Sequence, residues 1–204
     1  MATVVEKPAE TTASKTVTAT DGPRQFTVDE YRRMGEVGVF QPDERIELID
    51  GGVYEMSPKG KKHVVSTSRA VKCFIKRLGE QVIVRVQDPI KLGEHSEPEP
   101  DIALLAPDEQ EYLERDPTPQ EILYVLEIAD TTLAKDRTVK AQLYAEAGIP
   151  QYGILNVNSR ELEDYCEPDA DGYRTKHTYR ADESFALVAF PEVRINVGEL
   201  LPPA

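Results

Sequence analysis

Tryptophan is absent from this sequence, and cysteine and histidine are scarce, which narrows the chemistry open to it. The two cysteines, Cys73 and Cys166, lie far apart and match neither zinc-ligand spacing nor a CxxC redox pair, so a disulfide framework is not expected either. No histidine pair has zinc spacing, and neither a glycine-rich phosphate loop nor a nucleophile-elbow serine is present. Carboxylates and lysines are left as the groups that could carry a reaction.

Long apolar runs are also missing from the sequence. No stretch approaches the roughly 18 apolar residues that a membrane-spanning helix needs, and the Thr/Ala/Lys/Glu-rich start lacks the apolar region of a secretory signal. We expect a cytoplasmic protein without membrane association. Residues 1–24 have no periodicity and are predicted to be a disordered tail, whereas residues 25–204 are long and apolar enough for a single domain.

Basic residues are outnumbered by acidic ones, and the formal net charge is −13. This argues against a simple electrostatic nucleic-acid binder, which usually carries a basic surface and a high pI. The charges are unevenly distributed, however, because residues 59–91 hold nine basic and two acidic residues while residues 93–130 hold twelve acidic and one basic. The two segments are either solvated surfaces or a phosphate-binding surface beside a cation-binding site.

Capping, periodicity and turn signals predict the order of the secondary structure. Helices are expected after the capping box at Thr27, over 61–78 and 136–147, and as a last turn at 197–201. Strands are expected in a hairpin around Asp50-Gly51-Gly52 and then at 82–86, 89–92, 101–105, 122–129, 152–157, 161–166, 172–179 and 184–189. The layout predicts a mixed α/β (α+β) protein with a central mixed sheet flanked by helices and an N-terminal hairpin.

Glu127 is the most informative residue, because it lies inside the apolar run 122–129. Apolar residues occupy both alternation faces of that run, which is typical of a strand buried on both sides. An unpaired carboxylate there would cost several kcal/mol or become protonated. Glu127 must therefore meet a cation, either a lysine or arginine in a structural ion pair or a metal ion.

Asp101 and Lys140 extend this position into a candidate catalytic site. Asp101 opens an upstream apolar run and should lie near Glu127 if the two strands are neighbours. Lys140 lies in a predicted helix between Asp136 and Tyr144 at four-residue spacing, so the three share one helix face. The simpler alternatives are a strand-start turn for Asp101 and a surface ion pair for Lys140. Hard oxygen ligands such as these carboxylates suit Mg²⁺ or Mn²⁺.

Glu47 and His63 are further candidates. Glu47 is a carboxylate inside the short apolar run 46–49, where it is either a ligand or an edge-strand residue facing water. His63 opens the predicted basic helix and is either an accessory site residue or a solvated, capping histidine. The basic residues of that helix that are predicted to contact phosphates are Lys61, Lys62, Arg69, Lys72 and Lys76.

Together these residues resemble the motifs of the Uma family of restriction endonucleases, within the PD-(D/E)XK nuclease superfamily. The resemblance runs from about Arg45 to Leu201. It is carried by Glu47-Leu48-Ile49-Asp50-Gly51, Met56-Ser57-Pro58 with His63, Pro100-Asp101-Ile102-Ala103, Val125-Leu126-Glu127-Ile128, and Asp136-Arg137 with Lys140, Tyr144 and Ala147-Gly148-Ile149-Pro150-Gln151-Tyr152. The Pro-Asp dipeptide is weak by itself, but the order and spacing of the whole set are fairly specific.

The resemblance implies a restriction endonuclease-like core that cuts DNA with Mg²⁺ or Mn²⁺. The metal ligands that it implies are Asp101, Glu127, the Ile128 carbonyl and, as an additional acid, Glu47. The usual superfamily lysine would fall at Ala129, and Lys140 looks like its substitute on the helix. Because cutting both strands of a duplex often uses two copies, the resemblance is compatible with a homodimer.

Two residues depart from the family pattern, which tends to have serine where this chain has Asp130 and tryptophan where it has Gly153. Asp130 either supplies an extra ligand or marks a loss of activity. Three hypotheses therefore stay open. The first is a metal-dependent DNA endonuclease, the second is a catalytically inactive nuclease fold that serves as a binding or assembly module, and the third is a metal-dependent hydrolase of another phosphate ester.

Overall fold

The apolar run around Glu127 forms a strand in the interior of a six-stranded sheet. The structure, a computed structural model, describes residues 22–41 and 43–203. Residues 1–21 of the predicted tail lie outside the described residues. Within the described part, no helix combines the length and the apolar character needed to cross a bilayer.

The described chain contains ten strands and five α-helical segments. The sheet consists of β3 (Ile83–Val86), β4 (Ile102–Leu105), β5 (Ile122–Ala129), β6 (Gln151–Asn156), β7 (Glu161–Asp169) and β8 (Gly172–Arg180). Two hairpins are formed by β1 (Ile46–Ile49) with β2 (Gly52–Glu55) and by β9 (Ser184–Leu187) with β10 (Phe190–Asn196). The helices are α1 (Val28–Glu36), α2 (Lys61–Leu78), α3 (Leu133–Lys135), α4 (Ala141–Glu146) and α5 (Val197–Leu200), with a π-helical turn at Asp136–Lys140 that joins α3 to α4.

The sheet is mixed, as the sequence predicted. Its strand order is β3-β4-β5-β6-β7-β8, in which β5 and β6 are parallel and the other neighbours are antiparallel. Every residue of β5 except Leu123 is buried. Two apolar layers cover β5: Phe74 of α2 and Phe185 of β9 pack on one face of the sheet, and Tyr144 of α4 packs on the other. The predicted fold class is therefore confirmed.

Several local signals act as predicted. Thr27 and Glu30 form the complete capping box that begins α1. The turn between β1 and β2 places Asp50 and Gly51 at positive φ, which the Asp-Gly pair tolerates better than most residues. Gly79 ends α2, also at positive φ.

Three secondary-structure elements differ from the prediction. Residues 89–92 are not a strand, because the backbone N–H groups of Ile90 and Leu92 donate to carbonyls of their own loop, Pro98 and Ser96. The helix predicted to start at Asp136 starts one turn earlier, in α3. The prediction missed β10, whose run begins Phe190-Pro191 and has little apolar alternation.

Tyr124 and Gly153 make a close contact between β5 and β6. The Tyr124 hydroxyl is buried without a hydrogen-bond partner among the described residues, and a Cβ at Gly153 would lie 2.0 Å from it.

We expect Tyr124→Phe to raise the free energy of unfolding by about 1 kcal/mol, because no unsatisfied hydroxyl is then buried. Gly153→Ala should cost about 1–3 kcal/mol through overpacking, and less in the Tyr124→Phe background. Urea unfolding measures both, and an equal cost in both backgrounds would contradict the contact.

Asp164 on β7 is a buried carboxylate outside the candidate site. Each of its two oxygens accepts a hydrogen bond of 2.9 Å from the Gln151 amide. Burial nevertheless raises the pKa of Asp164 to about 7. Because the folded pKa lies above the unfolded value of about 4, its contribution to stability is complete at acid pH and is lost as pH rises through about 7.

We expect Asp164→Asn to remove this loss. The stability of the variant relative to the wild type should increase by an amount on the order of 3 kcal/mol between about pH 4 and pH 8. Urea unfolding at several pH values checks this result. A difference between the two proteins that stays constant over that range would show that Asp164 does not titrate as described.

Candidate active site

A cavity of about 90 Å³ opens where β5 ends, between the β1–β2 hairpin and the start of α2. The charged or ionisable side chains that line it are Arg45, Glu47, Glu55, Lys59, His63, Asp101, Glu127, Asp130, Lys135, Asp136 and Lys140. Ile128 also lines it, whereas Tyr144 lies behind it and reaches Glu127 from α4. The structure thus brings together all the residues predicted as catalytic or metal-binding.

The pairing of β4 with β5 places Asp101 beside Glu127. Ile102 pairs with Leu126, so Asp101 lies immediately before β4 at the level of Glu127. The backbone N–H of Asp101 donates to Glu127 Oε2 at 3.4 Å, and the Ile128 N–H donates to Asp101 Oδ2 at 2.9 Å. The two acids therefore share one end of the sheet, as expected for neighbouring strands.

Lys140 reaches the two strands from the helix. Its ammonium donates to Glu127 Oε1 at 2.8 Å and lies 3.3 Å from Glu47 Oε2, and only 4% of Lys140 is exposed. The Tyr144 hydroxyl donates to the same Glu127 oxygen at 2.9 Å. Asp136, Lys140 and Tyr144 are all buried, so the face that they were predicted to share points into the protein.

Glu47 is held in the site by the hairpin. Leu48 and Glu97 exchange two backbone hydrogen bonds, which fixes β1 against the segment that leads to Asp101. The Glu99 N–H donates to Glu47 Oε2 at 3.3 Å, and Lys135 donates to Glu47 Oε1 at 2.8 Å. Glu47 is 2% exposed, so the alternative of an edge-strand residue facing water is wrong.

His63 and Gln87 surround Asp101. His63 Nε2 lies 2.9 Å from Asp101 Oδ2, and Thr67 Oγ1 donates to the His63 carbonyl one turn along α2. Gln87 donates its backbone N–H to the Asp101 carbonyl at 3.1 Å and its amide to Asp101 Oδ1 at 3.3 Å. Gln87 has φ +56, a strained conformation for a residue with a side chain. These contacts fix the orientation of the Asp101 carboxylate.

The structure adds two residues that the sequence did not suggest. Lys135 precedes Asp136, and its role could not be read from the four-residue spacing that identified Lys140. Gln87 follows a strand and carries no chemical signature of its own, so only its backbone conformation and its contact with Asp101 mark it. Asp136 itself is inside the π-helical turn, where its Oδ2 accepts a hydrogen bond of 2.6 Å from Thr132.

The carboxylates of the site differ in their pKa values. Burial would raise the pKa of Asp101, but hydrogen bonds from His63 and the Ile128 N–H hold it below its ordinary value. Burial likewise opposes the ionisation of Glu47, yet the charges of Lys140 and Lys135 lower its pKa. Both groups are therefore charged at neutral pH.

Glu127 has the opposite behaviour. Burial raises its pKa to about 8, the neighbouring Asp101 and Asp136 add to the effect, and Lys140 only partly opposes it. Burial would lower the pKa of Lys140, but Glu127 and Glu47 raise it above its ordinary value. Lys140 is thus charged at neutral pH, whereas Glu127 releases its proton less readily than an ordinary glutamate.

The site fits a divalent cation. Four buried carboxyl groups, Glu47, Asp101, Glu127 and Asp136, face the two ammonium groups of Lys140 and Lys135, so a further positive charge would be stabilised there. The donors are hard oxygens, which suit Mg²⁺ or Mn²⁺. In the described ranges, no three His, Cys, Asp or Glu side chains are already arranged to hold an ion.

The predicted DNA-binding residues of α2 separate into two groups. Lys61, Lys62, Lys72 and Lys76 are exposed, and the first two lie in the turn that borders the cavity. Arg69 is half-buried and donates to the Gly198 carbonyl at 3.1 Å, so this residue has a structural contact with the start of α5. The exposed lysines stay predicted phosphate contacts.

We expect Lys140→Met and Lys135→Met to differ sharply in stability. Losing the buried Lys140 leaves Glu127 and Glu47 without their shared cation and should cost about 3 kcal/mol. The side chain of Lys135 is 30% exposed, so its loss should cost about 1 kcal/mol or less. Urea unfolding at neutral pH measures both values. Equal costs would mean that the buried ammonium does not compensate the acidic cluster.

Comparisons with known proteins give one family match and one structural match. A sequence profile of the Uma2 family, described as "Putative restriction endonuclease", matches residues 28–198. One similar solved structure is the crystal structure of "a putative nuclease belonging to DUF820" from Anabaena variabilis ATCC 29413, with a TM-score of 0.65 and 14% identity. The match covers 86% of this chain and 97% of that chain. No curated protein matches the sequence.

These two likenesses support different conclusions. At 14% identity, the structural match shows that the chain shares the fold of a protein described as a nuclease. The profile spans most of the chain, from α1 to the start of α5, and includes every residue of the candidate site. The chain therefore belongs to the Uma2 family.

Proposed function

We propose that this protein is a Mg²⁺- or Mn²⁺-dependent endonuclease that hydrolyses phosphodiester bonds in DNA. The observation that carries the proposal is the convergence of Asp101, Glu127 and Lys140 in one cavity. These groups come from the start of one strand, from a buried strand and from a helix. All three are buried, and burying a charged group costs free energy unless it is paired. The description of the family supports the same activity.

Asp101 and Glu127 would hold the cation, with the Ile128 carbonyl and Glu47 as further oxygen ligands. Within Asp101 and Glu127, the oxygens with the longest protein hydrogen bonds are Glu127 Oε2, at 3.4 Å from the Asp101 N–H, and Asp101 Oδ1, at 3.3 Å from Gln87. They are therefore the oxygens most easily given up to a cation. A bound divalent ion would supply a water of lowered pKa and would neutralise charge on the phosphate.

Lys140 would orient the attacking water or a phosphate oxygen. Its ammonium is fixed against Glu127 Oε1 and keeps its proton, because the surrounding acids raise its pKa. A charged donor in a buried site acts more strongly than one in water, and it needs no reorganisation when charge develops on the phosphate. Tyr144 donates to the same Glu127 oxygen and His63 to Asp101, so both are positioning residues for the carboxylates.

The backbone of the nucleic acid would lie along α2. From Lys61 to Lys76 the helix spans about 22 Å, with exposed lysines at both ends. Such contacts give an affinity that depends on salt and little on sequence. A double-strand cut would use two copies of the chain.

The proposal is tested by nicking of supercoiled plasmid DNA with Mn²⁺ or Mg²⁺. We expect Glu127→Gln to cut at least about 100-fold more slowly than the wild type, because the variant loses a ligand and the partner of Lys140. Asp164→Asn is the matched control, since it also removes a buried carboxylate but lies outside the cavity, and it should cut like the wild type. The melting temperature of the wild type should rise with metal concentration, and that of Glu127→Gln should rise less.

Equal nicking by the wild type and Glu127→Gln would reject the assignment. Absence of both nicking and metal-dependent stabilisation would instead favour an inactive binding or assembly module. Hydrolysis of a small phosphate ester by a protein that does not retain DNA at low salt would favour the third hypothesis.

A further inference from the structure

One exposed aromatic ring borders the candidate site. The chain has nine tyrosines, five phenylalanines and no tryptophan, and all fourteen aromatic residues lie in the described part. Tyr54 is the only one of them with an exposed side chain, at 47% of its surface. An isolated exposed apolar residue is ordinary, so the position of Tyr54 decides whether it has a role.

Tyr54 is tied to the site by two contacts. On the β1–β2 hairpin it is directly opposite Glu47, so the two side chains lie on the same face. The Lys135 ammonium lies 5.2 Å from the centre of the Tyr54 ring and also donates to Glu47 at 2.8 Å. The absence of a side chain at Gly52 leaves room for the ring, since a Cβ there would lie 2.9 Å from it. The ring is therefore held in a defined place beside the acidic cluster.

The size of the cavity limits what can enter it. A volume of about 90 Å³ is small beside the roughly 300–1,000 Å³ of pockets that enclose a whole small molecule, so the cavity suits a phosphate group rather than an entire nucleotide. When a phosphodiester is in the cavity, the adjoining sugars and bases must therefore lie outside, on its rim. Glu47 and Glu55 of the hairpin line the cavity, and the Tyr54 ring lies beside them against Lys135, which also lines it.

We propose that Tyr54 is a stacking platform for a nucleobase adjacent to the phosphate in the cavity, and that the preferred substrate is therefore unpaired there. This proposal rests on the nuclease function proposed above. An aromatic ring can stack on any base, because every base has a π-face. In an intact duplex both faces of a base are covered by its neighbours, so single-stranded or frayed DNA fits this platform better.

The test measures binding of two single-stranded probes without metal. One is oligothymidylate, and the other is an oligomer of the same length in which every position is abasic, so that it keeps the phosphates and loses the bases. We expect Tyr54→Ala to weaken oligothymidylate binding about 5- to 100-fold and to leave the abasic oligomer unaffected. Tyr54→Phe keeps the ring and should bind both probes like the wild type.

Lys72→Ala is the matched control on the exposed face of α2. Because Lys72 would contact only phosphates, its loss should weaken binding of both probes by the same factor. If Tyr54→Ala weakens both probes equally, or neither, the stacking proposal is wrong. The melting temperatures of the variants show whether a loss of binding comes from unfolding. Tyr54→Phe keeps the ring, so it controls for the effect of substituting this position.

A cleavage assay separates this proposal from the nuclease assignment. With Mn²⁺, the wild type should cut single-stranded circular DNA faster than relaxed duplex circles, and Tyr54→Ala should reduce that preference. If the wild type cuts DNA but Tyr54→Ala keeps the wild-type preference, only the platform is rejected. If the wild type neither cuts DNA nor retains the probes, the nuclease function and the platform are rejected together.

Discussion

The compensation of charge around Glu127 is the interaction on which the centre of the molecule depends. A carboxyl group in the interior strand of a sheet is unstable unless a cation meets it, and Lys140 does so at 2.8 Å. Lys140 and Lys135 together face four buried carboxyl groups, so the two ammonium groups cannot neutralise all of them. The site is thus stable enough to fold and remains attractive to a further cation. This imbalance links the fold of the protein to its proposed chemistry.

The same charges connect parts of the chain that are distant in sequence. Glu47 brings the hairpin to Lys140, and Glu127 brings the central strand to it. The π-helical turn that ends in Lys140 widens the helix at this point, a feature common at functional sites. Because each element contributes a charged group to a shared buried cluster, a shift of any one of them would leave another charge unpaired.

The positions of Glu127 and Lys140 could be predicted from the sequence, because a charged residue in an apolar run is easily recognised. A glutamate inside an apolar strand demands a partner, and helical spacing placed Lys140, Asp136 and Tyr144 on one face. Lys135 and Gln87 could not be found in this way. Lys135 reaches Glu47 through the packing of the hairpin on the helix, and Gln87 acts through a backbone conformation. Such contacts depend on tertiary structure that no local pattern records.

The errors in the fold have a similar origin. The segment 89–92 has the composition of a strand, but its N–H groups are taken up by a local loop before a neighbouring strand can pair with them. In β10 the pairing with β9 outweighs a proline near its start and an irregular register. The intrinsic strand propensity of a segment has less influence than the pairing that the tertiary fold offers. Segment 89–92 and β10 were therefore the least predictable parts of the fold.

Ala129, which differs from the superfamily pattern, and Asp130, which differs from the family pattern, also have physical explanations. Ala129 lies on the same strand face as Glu127 and is buried in the apolar layer next to α4, so the helix lysine reaches the place that a strand lysine would serve. The carboxylate of Asp130 lies against Gly60, the N-cap of the 18-residue helix α2, where the helix dipole favours negative charge. The start of α2 thus stabilises the negative charge of Asp130. Here the ammonium is carried by a helix and its carboxylate by a strand. The geometry of this site therefore depends on how the helix packs on the sheet, and residues such as Tyr144 matter to it even though they do not line the cavity.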